Sequence, residues 1–318
     1  MSYIELDVVP DSPEWYEKRR EGLGASDSAS ILGHSKWGTP LDVYKSKVGG
    51  VEREFDELRA FVGHESEQMI RNWIMRWHPE VGRIYPARAV QSVEWPWLFA
   101  TPDGTADDVG LVIPVELKTS NKFARDNWLD RDGNPAPPLY YQVQAQQQIA
   151  VLGAPYGYLA VYHGDTDFDL FKIDRDEVFI EQLVRITGEW WEKHVVGLVA
   201  PDPSTYAEAN EAFPGVPELV YTLNREQYEL IEQRDVAASD MNHTKRIVEA
   251  FKDYIGPLVG DATVLEYDGK PMWTFKRQNG GPQVRLEVLR EQFPDAYEAS
   301  VYTPRFPVLR RIKQKEDA

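Results

Sequence analysis

The chain has 318 residues, 42% apolar and 12% aromatic, enough to bury a sizeable core and unlike a disordered chain. It has no cysteine, which excludes disulfides, thiolate-held zinc, iron–sulfur clusters and a cysteine nucleophile; metal chemistry would rest on carboxylates, with His as a further donor, and oxygen ligands favour magnesium or manganese. A formal charge of -17 argues against a non-specific coat on nucleic acid, because phosphates are repelled by surface carboxylates, but leaves room for an enzyme that touches DNA along one channel.

In chain order, "SPEWYEKRREGLGASDSASILGHS" reads as a short helix, a Gly-containing turn and a second helix entered at Ser26, with Ser26 and Asp27 as N-cap types. "TPLDVYKSKVGG" is a further helix stopped by Gly49 and Gly50. Residues 54–77 form a long helical pattern in which Met69, Ile70, Trp73 and Trp77 fall at helical spacing, so both tryptophans are expected in the core. "VGRIYPARAVQS", "WPWLFATPDGTADD" and "GLVIPVELKTS" read as an antiparallel meander. A helix over "PLYYQVQAQQQIAVLG" closes at Gly153, "YGYLAVYHGDTDFDLFKID" gives two strands, and 175–199 is an amphipathic helix carrying Trp190 and Trp191. This order predicts an α+β fold with a central mixed sheet flanked by helices.

After residue 200 the composition turns polar and proline-rich. The expected organisation is a core over 1–200, a linker over 201–222 and a small α+β C-terminal extension over 223–318. The extension starts with a charged amphipathic helix, 223–255. A hairpin with Asp-Gly at its turn follows, then a short helix and a basic terminal strand. Basic residues gather at Lys18, Arg19 and Arg20, and at Arg305, Arg310, Arg311, Lys313 and Lys315; each cluster reads equally as a solvated face. No run of about 18 apolar residues could cross a membrane, and "MSYIELDVVPDSPEW" has no signal-peptide character, so a cytoplasmic location is expected.

Side chains in a strand alternate faces, so Glu116 and Lys118 point one way while Val115 and Leu117 point the other. Asp103 ends the preceding strand, and a hairpin of that length brings it beside Glu116. Two carboxylates held that close cannot both stay ionised without a cation between them. A divalent metal supplies one, and an ammonium two residues along can orient a water or stabilise developing charge, the arrangement phosphodiester hydrolysis requires. An isolated Glu-x-Lys reads first as a cross-strand ion pair on a half-exposed sheet face, and only the rest of the chain changes that reading. His34, His64, His78 and His163 have no paired metal spacing, and "GLGASDSASILG" lacks the G-K-[ST] ending of a P-loop.

Four stretches stand in a telling order: "WYEKRREGLGASDSASILG", with Trp15, Arg19 and Ser26; "FVGHESEQMI", with Glu67 four after Gly63; "TPDG" followed by "VELKTS"; and "YYQVQAQQQIAVLG", with Tyr141, Gln144 and Gln146 in a Y-x-x-Q-x-Q pattern. Over residues 15–160 the chain resembles the PD-(D/E)xK nucleases of restriction-endonuclease-like fold, and within them the YqaJ-like viral recombinases related to phage lambda exonuclease. The resemblance implies that Asp103 and Glu116 bind Mg²⁺, or Mn²⁺ in its place, helped by Glu67 and the backbone carbonyl of Leu117. Lys118 would position or activate the attacking water, and Gln144 would contact the Lys118 amine, that water or DNA. Arg19 and Ser26 would hold a terminal 5′-phosphate, with Tyr141 and Gln146 as further DNA contacts. Ser26 as a bare N-cap looks the same in sequence, Glu67 as a solvated helix residue likewise, and Gln142, Gln147 and Gln148 read as surface or packing residues.

The implied activity is digestion of one strand of a duplex from its 5′ end, leaving 3′ single strands for recombination by annealing. The implied partners are double-stranded DNA ends and a single-strand annealing protein. A ring-shaped trimer and a phage or prophage origin in a bacterial host come with the same resemblance. An endonuclease or RecB-like repair nuclease on the same fold is the alternative among enzymes; a non-catalytic DNA-end-binding or interaction module is the alternative outside them.

Overall fold

The computed structural model describes residues 2–9, 12–50, 57–213, 220–274 and 285–302. Strand β1 (Tyr3–Glu5) precedes α1 (Pro13–Arg19), which Ser12 caps by accepting the Trp15 N–H at 3.2 Å, with Pro13 at the first helical position. Helix α2 (Ala25–Ile31) begins before Ser26, correcting the expected entry: the N-cap is Gly24, whose N–H donates to Asp27 Oδ2 at 3.0 Å. Asp27, three residues on, supplies the reciprocal bond of a capping box, and Ser26 is left in the first turn. Helix α3 (Pro40–Val48) is capped by Thr39 and Asp42.

Helix α4 (Glu57–Trp77) buries Ile70 and Ile74. Trp73 is partly buried and stacks on Phe168 at 4.7 Å. Trp77 is exposed, against expectation, because in the last turn it runs past the surface that Ile70 and Ile74 cover.

The expected meander is instead divided between two sheets. Its first run gives β2 (Ile84–Tyr85) and β3 (Val90–Ser92), its second β4 (Phe99–Ala100) and β5 (Gly104–Asp108), and its third β6 (Leu111–Thr119). Strands β1, β3 and β4 form a three-stranded sheet in that order, while β2, β5 and β6 join the central one. Pro86 and Pro102 lie between the halves of the split runs, and a residue without an N–H cannot carry a ladder through.

Helix α5 (Leu139–Leu152) ends at Gly153, whose φ of 68° places it in the left-handed region as a C-cap. Strands β7 (Tyr156–Gly164) and β8 (Asp167–Asp174) follow, then α6 (Glu177–Trp190), continued by a π-helical turn over Trp191–Val196. The central sheet has the order β2-β5-β6-β7-β8 and is antiparallel except between β6 and β7, the mixed sheet the sequence predicts. Glu116 and Lys118 pair with Leu159 and Val161, on the face where Tyr141 of α5 packs with Trp128. Phe168, paired with Tyr162, meets Trp73 of α4 on the other face. Helices therefore cover both sides.

Gln147 joins three of these elements. It is fully buried; its Nε2 donates to the carbonyls of Leu23 and Phe99, each at 2.9 Å, and its Oε1 accepts from Ser28 Oγ. Gln147→Leu leaves two carbonyls and a hydroxyl in the core without this partner and is expected to cost about 2–4 kcal/mol in a denaturant melt. A cost near zero would mean that water takes the side chain's place.

Part of the expected linker belongs to the first structural unit, Met1–Phe213. Helix α7 (Tyr206–Ala212) carries Glu208, which is buried and accepts hydrogen bonds from Thr39 and Ser204, and Glu211 lies 3.5 Å from Lys45. These polar side chains dock the segment where composition alone suggests a tether.

The second unit, Pro214–Ala318, holds α8 (Arg225–Val259), capped by Asn224 and Gln227 and without a buried residue. The hairpin β9 (Val264–Tyr267) and β10 (Lys270–Thr274) turns at Asp268 and Gly269, both at positive φ, as Asp-Gly predicts. Two short helices follow, α9 (Leu286–Gln292) and α10 (Pro294–Ser300). The basic terminal strand and its cluster from Arg305 onward lie outside the described residues. No helix among the described residues is long and apolar enough to cross a membrane.

Candidate active site

The β5–β6 ladder ends at the pair Gly104 and Val115. Asp103 and Glu116 are the next residue on each strand, so the hairpin delivers both carboxylates to one place. Beyond the ladder the Leu117 N–H has no β5 partner and donates to Asp103 Oδ2 at 2.7 Å. A strand residue turns its N–H and C=O to the same side, so the Leu117 carbonyl also faces Asp103. Lys118 Nζ hydrogen-bonds Glu116 and lies 3.9 Å from Asp103 Oδ2.

Glu116 is 2% exposed and is held from above by α5. Gln144 donates to Oε1, and Gln148, one turn on, donates to Oε2 at 2.6 Å. From α4, Glu67 is partly buried; Arg71, four residues later, bonds it at 2.7 Å and also donates to the Asp103 carbonyl at 2.7 Å.

Two carboxylates face one ammonium in the Asp103, Glu116, Lys118 group, and the titration reflects that imbalance. Burial, followed by the charge of Asp103, pushes the Glu116 carboxyl up to about 7; Lys118 and Gln148 offset this only in part. Glu67 is raised by the same two causes in the same order. Burial works against the Lys118 ammonium, but Glu116 and Asp103 together hold it charged, above the usual lysine range.

A pH dependence of stability follows. Because the folded protein retains a proton on Glu116 that the unfolded chain releases, stability from this group is present below the ordinary value of 4.5 and is lost as pH rises through about 7. In chelator, thermal melts should show the wild-type Tm falling relative to Glu116→Gln between about pH 5 and about pH 7. Parallel curves for the two proteins would contradict the assignment.

Beside the carboxylates lies a cavity of about 330 Å³ lined by Trp15, Arg19, Ser26, Glu67, Asp103 and Gln144, among others. The Arg19 guanidinium sits 4.6 Å from the centre of the Trp15 ring and donates toward Ser26 Oγ at 3.5 Å. Asp27 orients it from 3.7 Å and in turn binds the buried Lys47 ammonium at 2.7 Å. An arginine and a hydroxyl therefore share one wall, and Glu67 and Asp103 line the same cavity.

The structure brings Asp103, Glu116, Lys118, Gln144, Glu67 and Leu117 together, and Arg19 and Ser26 line the same cavity as Glu67, Asp103 and Gln144. Tyr141 is adjacent to Lys118, its ring 5.4 Å from Nζ, and is packed against Trp128 at 5.3 Å; burial pushes its hydroxyl up to about 12. Gln146 departs from its expected place: it is buried, donates to the Asp174 carbonyl at 2.8 Å and accepts the Asp176 N–H at 3.1 Å. It ties α5 to the turn between β8 and α6. Gln148 and Arg71 are the neighbours that pattern reading passes over; the signal for each is a spacing of four from Gln144 and Glu67, which puts both members on one helix face. His163 is buried against Asp169 at 3.2 Å, away from the carboxylates.

Among the described residues, no three His, Asp or Glu side chains form a ready-made metal cage. Lys118 and Arg71 occupy the oxygens of Glu116 and Glu67. The donors nevertheless fit a hard divalent ion in kind: they are oxygens, and both Glu67 and Glu116 are driven toward protonation by burial and then by the charge of Asp103, and a cation relieves that repulsion.

Residues 14–155 match the model of the YqaJ-like viral recombinase domain. The chain is 28% identical over 307 residues to "Uncharacterized protein YqaJ" of Bacillus subtilis (strain 168), covering 90% of this chain and 89% of that protein. Among solved structures, an alkaline exonuclease (LHK-Exo) from Laribacter hongkongensis aligns with a TM-score of 0.47 at 19% identity, over 59% of this chain and 94% of that one. A phage related exonuclease from Haemophilus somnus 129PT aligns with a TM-score of 0.41 at 10% identity, over 56% and 96%.

Proposed function

We propose that the protein, whose residues 14–155 match the model of the YqaJ-like viral recombinase domain, is a metal-dependent DNA exonuclease that digests one strand of a duplex from its 5′ end and leaves a 3′ single strand. The observation that carries this reading is the junction of Asp103, Glu116 and Lys118 at the end of the β5–β6 ladder, with Glu67 brought in by α4. Asp103, Glu116, Glu67 and the Leu117 carbonyl would hold Mg²⁺, or Mn²⁺ in its place. When bound, the ion supplies Lewis-acid polarisation of a phosphoryl oxygen and a lowered pKa for a bound water.

The chain's own groups do the rest. Gln144 and Gln148 fix both oxygens of Glu116 so that the carboxylate does not have to reorient during turnover. Lys118, kept charged by its two carboxylate neighbours, acts as a donor that positions the attacking water and meets the developing negative charge. It is not the base while that charge persists. Arg19 and Ser26 present charge-assisted donors to a terminal phosphate, and the cavity of about 330 Å³ suits a nucleotide end.

A three-way comparison tests the reading: linear duplex with a 5′-phosphate, the same duplex with a 5′-hydroxyl, and a closed circle. The circle should survive, and loss of the phosphate contacts should slow digestion roughly 10²-fold. Arg19→Ala should abolish the difference between the two linear substrates. Rapid cutting of the circle would replace this account with the endonuclease reading, and absence of cutting with either Mg²⁺ or Mn²⁺ would leave the non-catalytic module.

Gln148→Ala should lower kcat by about tenfold or more, with KM little changed, because outer partners that hold a metal-ligating carboxylate are worth about 10- to 100-fold. It also removes a bond that lowers the Glu116 pKa, so the acid limb of the rate profile should move to higher pH. An unaltered profile would make Gln148 a packing residue.

The same reading places the protein in the cytoplasm of a bacterial host, as a phage or prophage protein, beside a single-strand annealing protein. A ring-shaped trimer, with the net charge of -17 turned outward, would reconcile the acidic chain with a DNA channel. Light scattering of the intact protein gives the subunit number directly.

A further inference from the structure

Trp37, in the loop between α2 and α3, is 55% exposed, whereas Trp15, Trp128 and Trp190 are buried. The loop does not leave it loose: the Trp37 N–H donates to Ser35 Oγ at 3.2 Å, its ring meets Tyr140 edge to face at 4.8 Å, and it tilts toward Tyr141 at 5.9 Å. The Lys36 ammonium stands 5.0 Å from the Trp37 ring centre and 5.3 Å from that of Tyr140. Tyr141 links this group to the reaction centre, since its ring is 5.4 Å from Lys118 Nζ.

A large indole left in water, in contact with two tyrosine rings and paired with an ammonium, has the two features that a nucleotide matches. A base stacks on the ring, and a phosphate takes the cation. The location agrees. Tyr140 and Tyr141 are in the first turn of α5, and Gln144 and Gln148 follow at one-turn intervals. The cavity with Arg19 and Ser26 takes in both glutamines and neither tyrosine. A strand running from that cavity over Lys118 thus meets the tyrosines and then Trp37. Lys118 Nζ lies 5.4 Å from the Tyr141 ring, and that ring 5.9 Å from Trp37; each step is longer than the roughly 3.4 Å that one nucleotide spans along a duplex strand and suits an unstacked one.

We propose that Trp37, with Lys36 and Tyr140, is a stacking platform for an unpaired nucleobase of the strand being cut, a few nucleotides beyond the scissile phosphate. The platform keeps the end of the duplex open so that the terminal nucleotide reaches Glu116. Its substrate rests on the nuclease reading above, but its binding chemistry is measured without cleavage.

The test is fluorescence anisotropy with the full chain in Ca²⁺, using a labelled oligothymidylate, a duplex with a short 5′ overhang and a blunt duplex. Stacking on an aromatic ring is worth enough per base that Trp37→Ala and Trp37→Leu should each weaken the first two DNAs by about tenfold, and Trp37→Phe by no more than about threefold. Binding of the blunt duplex should change less than about twofold. Trp77→Ala is the control: that tryptophan is also exposed and lies beneath an arginine, but sits ten residues past Glu67 on α4. It should bind all three DNAs as wild type does. Equal weakening of all three DNAs by the Trp37 variants, or none, would overturn the platform. Selective weakening in a protein that cuts no DNA would uphold the platform and remove the nuclease reading; normal cutting with indifferent Trp37 variants would do the reverse.

Discussion

Glu116→Gln is expected to slow digestion of 5′-phosphorylated linear duplex in Mg²⁺ by about 10³-fold or more, while binding of duplex ends in Ca²⁺ stays within about threefold of wild type. Glu116 is the most buried member of the carboxylate group and the one on which Lys118, Gln144 and Gln148 converge. An amide of the same shape keeps the packing: its oxygen accepts from Gln144, and its NH2 bonds Gln148 once that amide turns to present its oxygen. It removes the charge that a divalent ion needs. Because the native carboxyl is already pushed up to about 7, the neutral replacement does not impose a new burial cost. Activity loss without collapse of the fold, read by circular dichroism melts, is therefore the expected result. Wild-type rates in this variant would move the chemistry elsewhere.

Lys118→Met should lower kcat by about 10²- to 10⁴-fold, the range associated with a positioned proton-transfer or charge-stabilising group. Arginine is not expected to rescue it. The ammonium is a compact point charge that bonds Glu116 and lies 3.9 Å from Asp103, and a planar guanidinium fork places its donors differently. Since the two carboxylates hold Lys118 charged above the usual lysine range, the wild-type rate should not fall on the alkaline side from loss of that proton until well above neutral pH. A Lys118→Met enzyme with kcat near wild type and only KM changed would reduce Lys118 to a DNA-binding cation.

The centre of the site was open to pattern reading because its geometry is local. Alternation along β6 fixes Glu116 and Lys118 on one face whatever else the chain does, and one hairpin is enough to bring in Asp103. The left-handed cap at Gly153 and the Asp268-Gly269 turn are legible for the same reason: each is decided by backbone preferences within a few residues.

What stayed hidden depends on distant partners. Residues 84–85 pair with 105–106 while 90–91 pair with 99–100, so a meander that looks continuous divides into two sheets. Gln146, Gln147 and Gln148 are a second instance. Three identical side chains one residue apart point about 100° from one another around a helix. They reach the β8–α6 turn, the carbonyls of Leu23 and Phe99, and Glu116 respectively. Their type is the same and only the surroundings assign the role, which is why Gln146 exchanges a DNA contact for a structural one and Gln148 enters the site.

The central claim is that Glu67, Asp103 and Glu116 together form the binding site for one divalent ion at the end of the β5–β6 ladder. Electron paramagnetic resonance of Mn²⁺ titrated into the intact protein measures this most directly, because free and bound ion give different signals without any turnover. The account predicts saturable Mn²⁺ binding in the wild type, displaced by Mg²⁺, and weakened by about tenfold or more in Asp103→Asn and Glu116→Gln, as removal of a charged oxygen ligand requires. Mn²⁺ binding that is unchanged in both variants, or absent from the wild type, would contradict it.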